Sequence, residues 1–132
     1  MTVAVAHQVS ATARLALSHA VQEAKFRDTD LAVLHVVGSA LDADRSDAYR
    51  AGVSDEIERA VGPDTDITWN LHLQTVSGDV GDALVKLTDH LRPDLLVLGA
   101  RRRSPVGKAL LGSIAQTIIL EASVPVLVVK TP

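Results

Sequence analysis

An alternation along the chain most constrains its fold: short apolar runs and segments of helical periodicity follow one another from end to end. Thr2–Ala6 is a Val/Ala run. Residues from Ser10 to Phe26 place Ala13, Leu17, Ala20, Val21 and Ala24 three and four apart, one face of a helix. Leu31–Val37 is a second apolar run, interrupted only by His35 and followed by Gly38. Leu41 to Val61 is polar, yet Tyr49, Val53, Ile57 and Ala60 recur at helical spacing. Ile67–Leu73 alternates, with Ile67, Trp69, Leu71 and Leu73 on one face and Thr68, Asn70 and His72 on the other. That pattern predicts a half-buried strand near a sheet edge. Val80 to Leu91 carries a stripe of Val80, Leu84, Leu87 and Leu91, and Pro93 stops it. Leu95–Leu98 is a fully apolar strand, Ser113 to Ala122 is helical, and Val124–Val129 is a last strand. Pro125, near its start, suggests a second edge.

The order is therefore β-α-β-α-β-α-β-α-β. Apolar strands joined by helices imply a parallel sheet covered on both faces, and right-handed crossovers make it a doubly wound, five-stranded α/β sheet. With 132 residues and 14.0 kDa, residues 1–132 form one domain. The core has to be aliphatic, because Phe26, Tyr49 and Trp69 are the only aromatic residues. So few stacking platforms, and a net charge of −3, argue against a nucleic-acid binder. The absence of cysteine excludes thiol nucleophiles and disulfides and suits a reducing compartment. No stretch resembles a signal peptide or reaches the roughly 20 apolar residues of a membrane-spanning helix. The expectation is a soluble, cytoplasmic protein with no membrane partner.

Ligands of doubly wound sheets sit outside the carboxyl ends of the strands, where the strand order reverses. Here that point brings His7 and Gln8, after strand one, toward Gly99 and the residues following strand four. The stretch from Gly99 to Ser113 is the informative one. A glycine at the end of a buried strand lets backbone approach a ligand. Ser113 suits an N-cap and Gln116, three residues on, completes a capping-box pattern. Free N–H groups at that helix start favour phosphate oxygens. Arg101, Arg102, Arg103 and Lys108 raise the local potential, with no acid among them. The chemistry points to a phosphorylated ligand. Two sharper motifs fail. Seven residues separate Gly99 from Gly107-Lys108, and Ala109 follows the lysine, so this is no Walker A loop; nor does a Gly-x-Gly-x-x-Gly fingerprint follow strand one.

Three blocks resemble the universal stress protein family: Asp94–Gly99 its fourth strand, Leu110–Ala115 its helix start, and Val124–Val129 its last strand. The resemblance covers nearly the whole chain. It implies a Rossmann-like fold of the adenine-nucleotide alpha-hydrolase type. It also implies binding of ATP or another adenine nucleotide through Gly-x2-Gly-x9-Gly-Ser/Thr, and dimerisation through the last strand. Gly99, Gly112 and Ser113 match that pattern, while its middle glycine falls on Arg102. Gln8 falls where nucleotide-binding members carry an acidic residue, Val36 on the adenine side, and Leu98 beside the first glycine. Ile114 and Ala115 follow at the helix start.

The reading is a regulatory protein in stress response that binds an adenine nucleotide and does not turn it over. The alternative is a dimeric interaction protein of the same fold without nucleotide, which Arg102 and Gln8 favour. A hydrolase would need a base or a metal-binding acid near the phosphates, and Gly99 to Ser113 contains neither. The histidines His7, His19, His35, His72 and His90 form no metal-ligand spacing. His7 is expected at the mouth of the cleft and His35 as a satisfied core histidine. Eight acids and three bases between Leu41 and Asp66 read as a solvated face. Pairing of Val124–Val129 with a second copy would cover an apolar edge.

Overall fold

The computed structural model describes residues 1–8, 11–38, 43–63, 66–101 and 112–131. Five strands alternate with four helices: β1 (Thr2–Ala6), α1 (Ala11–Arg27), β2 (Asp30–Val37), α2 (Ala43–Val61), β3 (Trp69–Thr75), α3 (Val80–Leu91), β4 (Leu95–Arg101), α4 (Ser113–Glu121) and β5 (Val126–Thr131). All pairings are parallel and the order is β3-β2-β1-β4-β5. The α/β alternation predicts this sheet, and both expected edges, β3 and β5, are edges.

Period-two alternation divides the core in two. Val3 and Val5 of β1, Leu31 and Val33 of β2, and Leu95 and Val97 of β4 face α1 and α2, meeting Leu17, Val21, Val53 and Ile57. Ala4, Ala32, Leu34, Leu96 and Leu98 face α3 and α4, meeting Leu84, Leu87 and Ile118. Leu17, Leu31, Leu34, Ile57, Leu84, Leu96 and Ile118 are fully buried. Each contributes roughly 1.5–3 kcal/mol relative to exposure. Asp79 caps α3, its Oδ1 accepting from the Asp82 N–H at 2.9 Å. Arg92 ends the helix in the left-handed region at φ 49°, immediately before Pro93.

Three strands differ from the sequence expectation, among them β5, which runs Val126–Thr131 rather than Val124–Val129. β3 lies two residues later than Ile67–Leu73, although the Leu31 N–H already reaches the Thr68 carbonyl. β4 runs three residues beyond Leu98, because β5 continues to pair with it at Gly99↔Val129, Ala100↔Lys130 and Arg101↔Thr131. Gly99 is therefore a strand residue, not the first residue of a loop.

Phe26 and Leu120 are exposed, and Ile119 partly so. No helix among the described residues is long and apolar enough to cross a membrane.

Candidate functional site

The strand order reverses at β1, which pairs with β2 on one side and with β4 on the other. The connections from these two neighbours leave in opposite directions, so a crevice opens above β1 and β4. Its volume is about 410 Å³, within the size range of small-ligand sites. Gln8, Leu98, Gly99, Arg101, Gly112, Ile114 and Ala115 line it. Seven of the residues expected from the sequence thus share one cavity. The sequence did not single out Thr12 and Ala13 at the start of α1, or Leu84 of α3, which line it as well.

Gln8 is half-buried, and its Nε2 donates to the Val36 carbonyl at 3.2 Å. Only the amide nitrogen can donate to a carbonyl, so Oε1 is the remaining acceptor. Val36 itself is 1% exposed and belongs to the apolar cluster beneath the crevice; it meets the site through its carbonyl.

Two glycines line the crevice for different reasons. A Cβ on Gly99 would lie 2.3 Å from the Thr12 carbonyl oxygen, so the first turn of α1 rests directly on β4. That close approach, rather than a ligand, already accounts for the glycine. A Cβ on Gly112 would meet nothing within 4 Å among the described residues, and its φ of −58° suits any residue.

The start of α4 differs from expectation. Gly112 is the N-cap and Ser113 is the first helical residue, so no side chain caps the helix; the Gln116 N–H goes to the Gly112 carbonyl at 2.9 Å. Ser113 has entered the helix, which removes its hydroxyl from capping geometry. The N–H groups of the first turn are left at the rim of the crevice, with the positive end of the helix dipole. Arg101 is exposed beside them. Arg102, Arg103 and Lys108 lie outside the described residues.

His7 is the clear correction. It is fully buried on the opposite face of the sheet, toward α1 and α2, and does not line the crevice. The reason is strand alternation: His7 continues the Val3, Val5 side, while Gln8 turns the other way. Register then sets it beside His35. β1 pairs with β2 at a constant offset of 28 residues, from Thr2↔Asp30 to Ala6↔Leu34, and the His7 N–H continues the ladder to the Leu34 carbonyl at 2.8 Å. The two Nδ1 atoms are 2.9 Å apart. His35 Nε2 lies 2.6 Å from the Tyr49 hydroxyl of α2, so it is the satisfied core histidine expected. His7 Nε2 lies 3.6 Å from Glu56 Oε2, and Arg14 Nε lies 3.3 Å from Glu56 Oε1. Burial lowers the pKa of both imidazoles, His35 to about 4 with help from His7, while Glu56 partly offsets the shift at His7. Burial raises that of the Tyr49 hydroxyl, which stays protonated. No group of three potential metal ligands occurs among the described residues.

The profile of the universal stress protein family matches residues 1–130. The chain belongs to this family. A universal stress protein of Mycolicibacterium smegmatis is 38% identical over 117 residues, covering 89% of this chain and 88% of that one. Among solved structures, a universal stress protein from Archaeoglobus fulgidus superposes with a TM-score of 0.75 at 26% identity, over 96% of both chains. A universal stress protein solved in complex with cAMP superposes with a TM-score of 0.70 at 26% identity, over 100% of this chain and 98% of that one. Within this universal stress protein fold, the crevice above β1 and β4 is where the sheet itself offers a ligand site.

Proposed function

We propose that this chain is a regulatory universal stress protein that binds an adenine nucleotide in the crevice above β1 and β4 and acts by binding, not by turnover. The observation that carries the proposal is Gly112. Neither its φ nor its packing against the described residues calls for glycine, yet it stands at a helix start without a side-chain cap, lining the crevice. Space at that point suits a phosphate approaching the first-turn N–H groups, where the dipole also favours negative charge. Arg101 adds a cation beside it. Gln8 Oε1 is placed to accept from a ribose hydroxyl or an exocyclic amine. Leu98, Ile114 and Ile118 supply an apolar floor for a base. The relative solved with cAMP supports the ligand class. A nucleotide bound there shifts a dimer or partner surface only by its difference in affinity between two states.

A second reading is a dimeric interaction protein that holds no nucleotide. Gln8 favours it, because the side chain is uncharged and one of its two amide N–H groups is already used on Val36.

Calorimetric titration with ATP, AMP and cAMP separates the two, on wild type, Gly112→Val and Arg102→Gly. Micromolar binding that Gly112→Val abolishes is the expected result. Heat absent from wild type but gained in Arg102→Gly would mean a pocket closed by one side chain. No heat in either protein would favour the interaction reading.

A further inference from the structure

The buried chain behind β1 serves no role in the crevice, yet it is attached to it. His7 and Gln8 are consecutive, and so are His35 and Val36. One face of this junction carries the His7–His35 contact and the other the bond from Gln8 to the Val36 carbonyl. Any displacement of the end of β1 acts on both.

The ring roles follow from what each end can do. A carboxylate only accepts, so His7 must turn an N–H, not a lone pair, toward Glu56. His7 Nε2 therefore carries its proton, and Nδ1 accepts from His35 Nδ1–H. His35 Nε2 is then the acceptor of the Tyr49 hydroxyl. Every group in the series Tyr49, His35, His7 donates one way. The last step is incomplete: at 3.6 Å, His7 Nε2 and Glu56 Oε2 attract without a hydrogen bond. His7 Nε2 is fully buried and has no hydrogen-bond partner among the described residues, and neither has Glu56 Oε1.

We propose that this series makes the crevice responsive to acid: one proton taken up by the His7–His35 pair settles on His7 against Glu56, draws the end of β1 toward α2, and withdraws Gln8 from the ligand. The proposal rests on the nucleotide-binding reading only for its effect on affinity.

The proton balance is closed. The incoming proton from solvent is added at the Tyr49–His35 end, and the hydroxyl turns so that its oxygen accepts from His35 Nε2–H. The proton between the two Nδ1 atoms passes from His35 to His7. The result is a neutral His35 and a His7 imidazolium donating at both nitrogens. A single proton still occupies the Nδ1···Nδ1 gap, so the pair survives this first uptake. A second proton would set two N–H groups against each other across 2.9 Å and break it.

The groups facing the pair fix where the charge goes. Glu56 and Tyr49 face it from α2 and Arg14 from α1. β3 sets the neutral Leu73 opposite His35, and on this face β4 continues from Val97 to Gly99, which has no side chain. Among the described residues Glu56 is thus the one anion in reach, and it lies beside His7, not His35. Closing 3.6 Å to hydrogen-bond distance moves the β1 end toward α2, the direction opposite to the crevice, because Gln8 and His7 point to opposite faces.

The test has two arms. In ligand-free protein, nitrogen-15 spectra of the imidazoles should assign the neutral-pH protons to His7 Nε2 and His35 Nδ1. On acidification His7 should become the first imidazolium, and the Gln8 backbone amide should move with the same midpoint. Independent titration of the two rings, or a Gln8 amide that stays still, overturns the proposal whether or not any nucleotide binds. In the second arm, cAMP affinity is measured from about pH 7.5 to about pH 4.5. Wild type should weaken about tenfold across this range. Glu56→Gln, outside the crevice, should keep the neutral-pH affinity and lose most of the dependence; the ligand's own titration cancels in that comparison. A Glu56→Gln profile parallel to wild type refutes the link to binding. Absence of cAMP binding at every pH leaves the first arm to decide this proposal.

Discussion

Gly99 and Gly112 allow scaffold and ligand roles to be separated by one pair of substitutions. In Gly99→Ala the new methyl would lie 2.3 Å from the Thr12 carbonyl oxygen and 2.9 Å from its carbon. Real Cβ atoms essentially never approach within 3.0 Å, so α1 must retreat by at least 0.7 Å. The obstacle is backbone, so no rotamer change relieves it. Retreat lifts Ala13, Ala16, Leu17 and Ala20 from the sheet, all now at 4% exposure or less. Partial gaps of this size forfeit a quarter to a half of each dispersion contact. Overpacking of this kind costs about 1–3 kcal/mol. For 132 residues an unfolding entropy of about 0.28 kcal/mol/K turns 2 kcal/mol into a Tm loss of about 7 °C. Gly112→Ala, with none of the described residues within 4 Å and φ −58°, should stay within about 0.5 kcal/mol of wild type. Urea unfolding monitored by Trp69 fluorescence and circular dichroism measures both. A Gly99→Ala protein as stable as wild type would refute the close approach of α1 to β4. A Gly112→Ala protein destabilised as strongly as Gly99→Ala would refute the assignment of Gly112 to ligand space.

Acid should destabilise the fold through the histidines. His35 titrates near 4 when folded and near 6.5 when unfolded, so the unfolded chain binds the extra proton in between. Its contribution is complete above about pH 6.5 and is lost as pH falls toward 4, about 3 kcal/mol in all. Urea midpoints should fall over that window, and a flat profile there would contradict a buried neutral pair. The β5 edge predicts a homodimer of about 28 kDa by light scattering at micromolar concentration, twice the 14.0 kDa chain. Thr117 of α4 packs against Gly81 of α3. Ile119, about 200° further round the helix, therefore flanks the open side of β5. Ile119→Lys should shift the protein toward monomer with little loss of stability; a wild-type monomer would exclude this interface.

The sheet was legible because each element announces itself locally. Val3 to Val5, Leu31 to Val37 and Leu95 to Leu98 are too apolar for anything but buried strands, and the 3.6-residue stripe of α3 places its bounds at Val80 and Leu91. What stayed hidden depends on register or on a partner far along the chain. His7 read as a cleft residue because its position after β1 is visible, while its side is not. One residue decides the face, and the structure gives the cleft to Gln8. His7 and His35 are 28 residues apart and meet only because β1 and β2 pair without a bulge. Gly99 carried a loop signal, yet its neighbour is the Thr12 backbone. Ser113 carried a capping signal that the structure assigns one position earlier, to Gly112.

The position of β1 between β2 and β4 has a consequence for how the chain comes into being. Its partner on one side is complete by Val37, whereas Val3 waits for Leu95 on the other. During synthesis, β1, β2 and β3 can assemble with α1 and α2 over one face, leaving the second flank of β1 as an open strand of Val and Ala. At about 5–20 residues per second, that flank stays unpaired for several seconds before β4 emerges. For that time the future centre of the sheet is a bare edge, able to take in a strand from another chain. The longest-range pairing in the fold therefore closes its most exposed moment, and it assembles the ligand crevice in the same step.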